Sequence, residues 1–400
     1  MAVEYLWDTG DGLLQFHAAG VEYDAAFIGH QSTGVSTMSV FGNTMWDGSV
    51  WAAGLAQILS PDAMFTIGQP YGWAIVAPNT VLADTAGTTP GVVDATIRRL
   101  DDQRGAPWLG VTTGPTLRNT GGVYWLEFAQ TAGRELQITV PAITNGTLMI
   151  AYKNAGVMSG NVTISAGTYS VGRWDNAGVV GVLLIDRDLS QDEREQVRQW
   201  FIAERGAGSF SAATSFLNLL REQKITNVDL FNTAAGTNFQ NFLQGNQLQS
   251  VPLFNTAAGT SFNGFMQLNQ LQSVPLFNTA AGTNFQNFLQ GNQLQSVPLF
   301  NTAAGTIFQN FCAANPGLAN VPVGLFDNVK GTNFTNIFQN CALTQQSVDN
   351  ILVSVATAAA ANNLNNGTLN LNSGTNATPS ATGVAAKDAL VLRGWTVTTN

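Results

Sequence analysis

A unit of 23 residues is repeated four times in tandem in the second half of the chain, and it constrains the fold more than any other feature. The block at 230–252 recurs at 276–298, the block at 253–275 differs from them at a few positions, and a fourth copy begins at residue 299. A looser fifth turn covers 321–343. A unit this short buries its apolar face only against its neighbours. The period therefore predicts a solenoid, whose long regular surface favours binding over catalysis.

Each repeat carries two phenylalanines three residues apart, which the spacing places on one face of a short helix. We expect these rings to stack into an aromatic column in the solenoid core. The predicted core residues are Phe239, Phe242, Phe262, Phe265, Phe285, Phe288, Phe308 and Phe311. A further ring, Phe254, follows Leu253 in an extended segment, so alternation sends one of the two inward, and we favour the phenylalanine. Thr260 is expected to cap the turn that follows Gly259.

The strand-like part of each repeat reads Leu-x-x-Val-Pro-Leu-Phe-Asn-Thr. Over 207–343 this pattern resembles the leucine-rich repeats of bacterial surface proteins, which carry a similar Leu-x-x-Ile-Pro-x-Phe-Asp-Thr strand. The resemblance implies a leucine-rich-repeat-type solenoid, although this chain has asparagine where those repeats often have aspartate. A degenerate first coil carries Arg221, Glu222 and Lys224 and is expected to cap the array.

The segment 344–400 is predicted to form a C-terminal α/β cap. Its pattern indicates a helix at 343–361 capped by Thr344, a strand at 367–371, a second helix at 379–392 and a last strand from Trp395. The Gly-Trp-x-Val-Thr ending resembles the end of bacteriophage tail-associated repeat proteins.

The segment 78–206 is predicted to be a β-sandwich, because strand-like runs at 136–140, 147–152 and 179–185 alternate with frequent turn residues. A helix follows it, with a capping box formed by Ser190 and Glu193. Gly206 is expected to end this helix.

Several runs in this segment resemble the laminin-G or concanavalin-like jelly rolls of bacteriophage structural proteins. They are Ala-Asp-Thr-Ala-Gly-Thr-Thr-Pro from residue 83, Gly-Pro-Thr-Leu-Arg from 114, Tyr-Trp-Leu-Glu-Phe from 124 and Ile-Asp-Arg-Asp-Leu-Ser-Gln-Asp-Glu-Arg from 185. The resemblance implies a jelly-roll-like sandwich with a final helix. The remaining segment, 1–77, is expected to be a β-rich region that attaches the chain to a larger particle. The predicted fold class is thus mainly β with short helices.

The charge and hydropathy of the chain limit the classes of partner that it is expected to bind. The net charge is −9, only 10% of residues are charged, and 230–326 contain no Lys, Arg, Asp, Glu or His. We therefore expect no nucleic-acid partner, and the lack of a long apolar run predicts no membrane insertion. From the N-terminal residues we expect no secretion signal. The amides of the repeats either hydrogen-bond a neutral sugar or another protein, or satisfy each other as ladders along the stack.

Candidate site residues lie in the N-terminal half. Trp108, Trp125 and Trp174 are candidates for ligand contact, with burial in the core as the alternative. The pairs Asp101–Asp102 and Asp186–Asp188 could contribute calcium ligands, but we predict no metal, no cofactor and no catalytic residue. Buried free thiols are favoured over a disulfide for the two cysteines, Cys312 and Cys341.

Together these features predict a bacteriophage virion component, a tail fibre or receptor-binding protein. The expected partners are other virion proteins, through the N-terminal region, and a glycan or protein on the host cell surface. A homo-oligomer is expected, with a trimer as one candidate. A capsid decoration or head fibre protein and a bacterial surface adhesin remain alternatives.

Overall fold

The computed structural model describes residues 70–103, 107–129, 133–173, 178–208 and 210–400, with Pro61 and the backbone of six strands before residue 54. This part of the chain is mainly β, with several antiparallel sheets and few helices. The chain divides into two compact units, one formed by Met1–Thr66 with Leu189–Trp200 and the other by Ile67–Asp188 with Phe201–Asn400. No helix among the described residues is long and apolar enough to cross a membrane.

The first unit contains a six-stranded antiparallel sheet in which the strands follow each other in sequence order. Its strands are β1 (Val3–Asp8), β2 (Leu13–Ala18), β3 (Val21–Ile28), β4 (Ser39–Val40), β5 (Thr44–Trp46) and β6 (Trp51–Ala53). Within the predicted attachment region, the segments between these strands and residues 54–60 and 62–69 lie outside the described residues.

Helix α1 (Gln191–Arg205) has the predicted N-terminal capping box. The backbone N–H of Ser190 donates to Glu193 Oε2 at 2.9 Å, and the N–H of Glu193 donates to Ser190 Oγ at 3.3 Å. Gly206 follows the helix with φ of +65°, a left-handed conformation that favours glycine. Both predicted ends of this helix are confirmed.

Two antiparallel sheets form the next part of the fold. One has the order β16-β13-β10-β9-β8, and the other has the order β11-β12-β17-β14-β15-β18, with β7 also paired to β17. The strands are β7 (Pro70–Ile75), β8 (Val81–Leu82), β9 (Arg99–Leu100), β10 (Trp108–Gly110), β11 (Thr116–Thr120), β12 (Val123–Glu127), β13 (Leu136–Val140), β14 (Ile143–Tyr152), β15 (Gly156–Ile164), β16 (Gly167–Val171), β17 (Val179–Ile185) and β18 (Ile225–Val228). The three strands predicted from sequence are confirmed as β13, β14 and β17.

The two sheets contribute to one hydrophobic cluster, and this cluster continues without a break into the repeats. Strand β18, in the first coil of the array, joins the edge of the larger sheet, with Gly160 opposite Val228. Tyr169 is buried and its hydroxyl donates to the carbonyl of Gln223 at 3.1 Å. The sheets and the repeats are therefore one body rather than two domains on a flexible linker.

Successive repeats lie side by side and in register. Parallel β-bridges connect equivalent positions of neighbouring repeats, at Ser215, Asn238, Ser261, Asn284, Ile307 and Asn333. Beside the bridges, the N–H of Thr260 donates to the carbonyl of Thr237 at 2.8 Å. In the other direction, the N–H of Phe262 donates to the carbonyl of Asn284 at 2.9 Å. Each repeat is thus hydrogen-bonded to both of its neighbours.

The local conformation of the repeats differs from the predicted short helix. Within 210–343 the structure has one 3-10 turn at Phe210–Ala212 and no α-helix. Instead, equivalent positions take φ values of +52° at Asn241, +66° at Gly264 and +56° at Asn287. Asparagine and glycine tolerate this left-handed conformation, and it interrupts a helix at once. The two phenylalanines of each repeat are buried as predicted, but the prediction that they lie on a helix is wrong.

Most of the bridges also lie away from the predicted strand. They directly precede the first phenylalanine of each repeat, and within the Leu-x-x-Val-Pro segments the structure has one bridge, between Ser296 and Asn320. Pro252, Pro275 and Pro298 have no N–H to donate, which disfavours a continuous ladder in that segment. The Thr260 hydroxyl donates to the carbonyl of Thr237 at 3.1 Å. Within 210–400 no backbone N–H donates to this hydroxyl, so its predicted capping role is wrong.

The C-terminal elements match the predicted order. Helix α2 (Gln345–Ala361) begins after Thr344, whose side chain accepts the N–H of Ser347. Helix α3 (Ala381–Val391) lies between two strands of a parallel sheet with the order β19-β20-β21. These strands are β19 (Asn333–Phe334), β20 (Thr368–Asn370) and β21 (Thr396–Thr398). Asn333 also forms a parallel β-bridge with Ile307, so this sheet extends the row of bridges between the repeats.

Candidate binding surface

Trp108 is fully buried, which agrees with the core alternative raised from the sequence. Its Nε1 donates to Asp102 Oδ2 at 2.9 Å. Its ring also occupies the space beside Gly72, where a Cβ would lie 2.4 Å from the ring. The tryptophan supports the core between β10 and β7, and its polar atom is satisfied there.

Trp125 is half-buried, and the ammonium group of Lys153 lies 3.3 Å from the centre of its ring. This cation–π contact places a protein group on one face of the indole. Trp125 and Trp108 belong to different sheets. The third candidate, Trp174, lies outside the described residues.

The acidic pairs are engaged in local contacts or lie at the surface. Asp101 accepts from Arg99 at 2.6 Å, and Asp102 accepts the backbone N–H of Trp73 at 2.6 Å. Asp186 and Asp188 are both exposed. Among the described residues, no three His, Cys, Asp or Glu side chains are grouped so as to hold a metal ion.

Another acid, Asp84, fixes a loop. Hydrogen bonds from Thr89 and Thr88 to its carboxylate hold the pKa of Asp84 below its usual range. Asp84 is half-buried and its carboxylate also accepts the backbone N–H of Gly87, so this arrangement indicates a well-formed turn at 84–89 rather than a reactive site.

A cavity of about 360 Å³ beside α2 is lined by two carboxylates, Asp327 and Asp349. Asp327 accepts from the Ser354 hydroxyl at 2.6 Å. Asp349 accepts the backbone N–H of Ser380 at 3.0 Å and so supports the start of α3. Both acids have structural partners.

On the repeats, the extended segment turns its phenylalanines inward and its leucines outward. Phe254, Phe277 and Phe300 are at most 2% exposed. The preceding leucines form an exposed column of Leu230, Leu253, Leu276 and Leu299, each between 54% and 63% exposed. The favoured orientation, with the phenylalanine in the core, is confirmed.

A column of buried asparagines satisfies the backbone between repeats. Asn292 Oδ1 accepts the N–H of Leu271 at 3.1 Å. Its Nδ2 donates to the carbonyls of Met266 at 3.1 Å and Leu289 at 3.0 Å. Asn246, Asn269 and Asn315 make the equivalent contacts. These buried amides therefore have a structural role.

A second column of amides forms a ladder along the stack. Gln244 Nε2 donates to Gln267 Oε1 at 2.6 Å, and Gln267 Nε2 donates to Gln290 Oε1 at 2.6 Å. Similar pairs join Asn241 to Asn218 and Asn310 to Asn287. For these residues the ladder alternative raised from the sequence is confirmed.

Two further columns of glutamines lie at the surface and outside these networks. Within 210–400, all of which the structure describes, their side chains make no hydrogen bond to the protein. A buried leucine such as Leu271 separates the two glutamines of each repeat, so both point to the same side of the segment. We name this surface the glutamine face. Its members are Gln247, Gln249, Gln270, Gln272, Gln293 and Gln295.

Sequence reasoning recognised the amide-rich surface but not this division of roles. A signal was present in the repeat itself, because the asparagine of the Asn-Gln-Leu-Gln motif directly precedes the first surface glutamine. Alternation around the buried leucine then assigns the two glutamines to the outside.

Both cysteines are free and buried, as predicted. Burial raises the pKa of Cys341 to about 12 and raises the pKa of Cys312 well above its usual value. Cys341 Sγ also donates to the carbonyl of Cys312 at 3.4 Å. Both groups therefore remain neutral thiols at physiological pH.

We expect Ellman's reagent at about pH 8 to react with neither thiol in the folded protein and with both in urea, since thiolates are the reactive form. In the unfolded chain the thiols ionise near pH 8.5. The unfolded state thus loses its protons first, and stability should fall as the pH rises above that value towards the folded pKa. Rapid reaction of the folded protein would place the cysteines at the surface.

Comparison with known proteins gives no match to any protein-family profile, to any curated protein or to any solved structure.

Proposed function

We propose that this chain is a structural component of a bacteriophage virion, a tail fibre or receptor-binding protein that attaches the particle to the host cell surface. In this proposal the two sheets form a jelly-roll-like sandwich. The repeats form a leucine-rich-repeat-type solenoid of 23-residue coils, and the segment 344–400 is its C-terminal cap. The resemblances of the sheet segment and of the Gly-Trp-x-Val-Thr ending to bacteriophage proteins support the assignment.

The pairing of β15 with β18 is the observation that carries the proposal. It joins the sheets to the repeats within one hydrophobic cluster, so the array extends from a stiff base. A receptor-binding protein needs this property, because a surface held rigidly loses less conformational freedom on binding. Copies on one particle then multiply weak contacts into firm attachment.

The surface chemistry supports adhesion rather than catalysis. Residues 230–326 have no charged side chain, and Asp327 and Asp349 beside the cap have structural partners. A glycosidase would require two carboxylates facing a substrate across a cleft. The proposed role is therefore non-enzymatic, and the proposed location is the virion.

The N-terminal region is proposed to bind other virion proteins, and the chain is proposed to assemble as a homo-oligomer. Gold-labelled antibodies against the chain, imaged on purified particles by electron microscopy, test the whole assignment. Label on the tail or its fibres supports it, and soluble protein should then compete with particles for adsorption to cells. Label on the capsid would favour the decoration or head-fibre alternative, and particles without label would exclude a virion role.

A further inference from the structure

The glutamine face is a regular lattice of carboxamides. The backbone N–H of Gln270 donates to the carbonyl of Leu248 at 2.9 Å, and that of Gln293 donates to Leu271 at 3.0 Å. These bonds hold members of one column about 5 Å apart, the spacing of neighbouring strands. Along one repeat, two residues of extended chain separate the columns by about 7 Å.

Each carboxamide offers one acceptor oxygen and two N–H donors and carries no charge. A ligand that matches this face must therefore supply both donors and acceptors, repeat at short intervals and be neutral. Hydroxyl groups supply both roles. An anionic polymer is disfavoured, because its recognition uses Arg or Lys and 230–326 contain neither.

A protein partner fits the glutamine face less well. Protein interfaces are centred on buried aromatic or aliphatic side chains that fill pockets on the partner. The leucines between the glutamine columns, Leu248, Leu271 and Leu294, are fully buried and present no such side chain. The exposed leucine column beginning at Leu230 is a separate column and is not part of this face.

We propose that the glutamine face binds a neutral, linear polysaccharide of the cell envelope, with sugar hydroxyls hydrogen-bonded to the amides of successive repeats. This inference rests on the proposed function, because it assigns a ligand class to the surface that attaches to the cell. Each contact is weak, and affinity comes from the number of repeats engaged along one chain.

The test compares two triple variants of the full chain by affinity electrophoresis in gels containing dextran, galactomannan, soluble β-glucan or alginate. The first variant, Gln247→Ala with Gln270→Ala and Gln293→Ala, removes one column of the face. The matched control, Gln240→Ala with Gln286→Ala and Gln309→Ala, removes three half-buried glutamines elsewhere on the repeats. Both variants should unfold at the wild-type urea midpoint.

We expect at least one neutral polysaccharide to retard the wild type and the control equally, and the first variant to bind at least tenfold more weakly. Retardation should not depend on salt, because no ion pair is involved. Equal retardation of all three proteins, retardation by alginate alone or no retardation by any neutral polysaccharide would overturn the inference. If the chain is labelled on phage tails but the first variant binds polysaccharide as tightly as the wild type does, only this inference fails. If the chain binds polysaccharide but is absent from particles, only the virion assignment fails.

Discussion

Phe285→Ala should lower the free energy of unfolding by about 3–5 kcal/mol, the cost of emptying a buried aromatic site. Phe285 is completely buried. Its ring stacks on Phe262 at 5.6 Å and on Phe308 at 5.5 Å, and it meets Phe288 edge-on at 5.5 Å. The neighbouring rings are held by their own repeats, so they cannot collapse fully into the space that the substitution leaves.

Leu276→Ala, in the same repeat, is the matched control because Leu276 is 60% exposed. We expect it to change stability by less than about 0.5 kcal/mol, as for most surface substitutions. Urea denaturation followed by circular dichroism measures both. Equal effects of the two substitutions would mean that the ring does not belong to a dry core.

Asn292→Ala should destabilise the protein by about 1–3 kcal/mol, the cost of leaving a buried backbone group without a partner. The substitution leaves the N–H of Leu271 without its acceptor, whereas the carbonyls of Met266 and Leu289 lose one donor each and keep a second one, from Asn269 and Asn315. Two neighbouring repeats lose contacts at once, so the effect should exceed that of a single hydrogen bond.

Gln293→Ala is the control for this prediction, since Gln293 is exposed and adjacent in sequence. It should leave the urea midpoint unchanged. Asn292→Asp tests the chemistry further, because the carboxylate keeps the acceptor, loses both donors and places a charge in a buried site. A stable aspartate variant would show that the donors of Asn292 contribute little.

The period of the repeat predicted the stacking of the phenylalanines because it follows directly from sequence spacing. All eight predicted core rings, from Phe239 to Phe311, are completely buried, and rings such as Phe239 and Phe262 stack at 5.6 Å. The ends of α1 and α2 were also predictable. Capping by Ser190 and Thr344 depends only on residues close in sequence.

The parts that sequence reasoning missed depend on contacts between distant residues or on rare backbone conformations. The pairing of Gly160 with Val228 joins two segments that differ strongly in composition, so no local pattern indicates it. The left-handed conformation at Asn241 and Gly264 turns a helix-like spacing into a series of turns.

The candidate site was the least predictable part. Trp108 is buried, and its Nε1 donates to Asp102, a contact that the sequence does not indicate. Likewise, amides of one residue type have different roles: Gln267 belongs to a ladder, whereas Gln270 is exposed. Their positions within the repeat, on either side of the buried asparagine, separate the two.

Deletion of one whole repeat, 276–298, tests the central claim that the repeats stack as equivalent units in one continuous core. The deletion joins Pro275 to Leu299, so Phe262 should stack directly on Phe308. We predict that calorimetry and circular dichroism show a folded, shorter protein that unfolds in a cooperative transition. Deletion of 276–287 alone should instead prevent folding, because it shifts the register by half a repeat. Loss of cooperative unfolding in the whole-repeat deletion, or equal stability of the two deletions, would contradict the account.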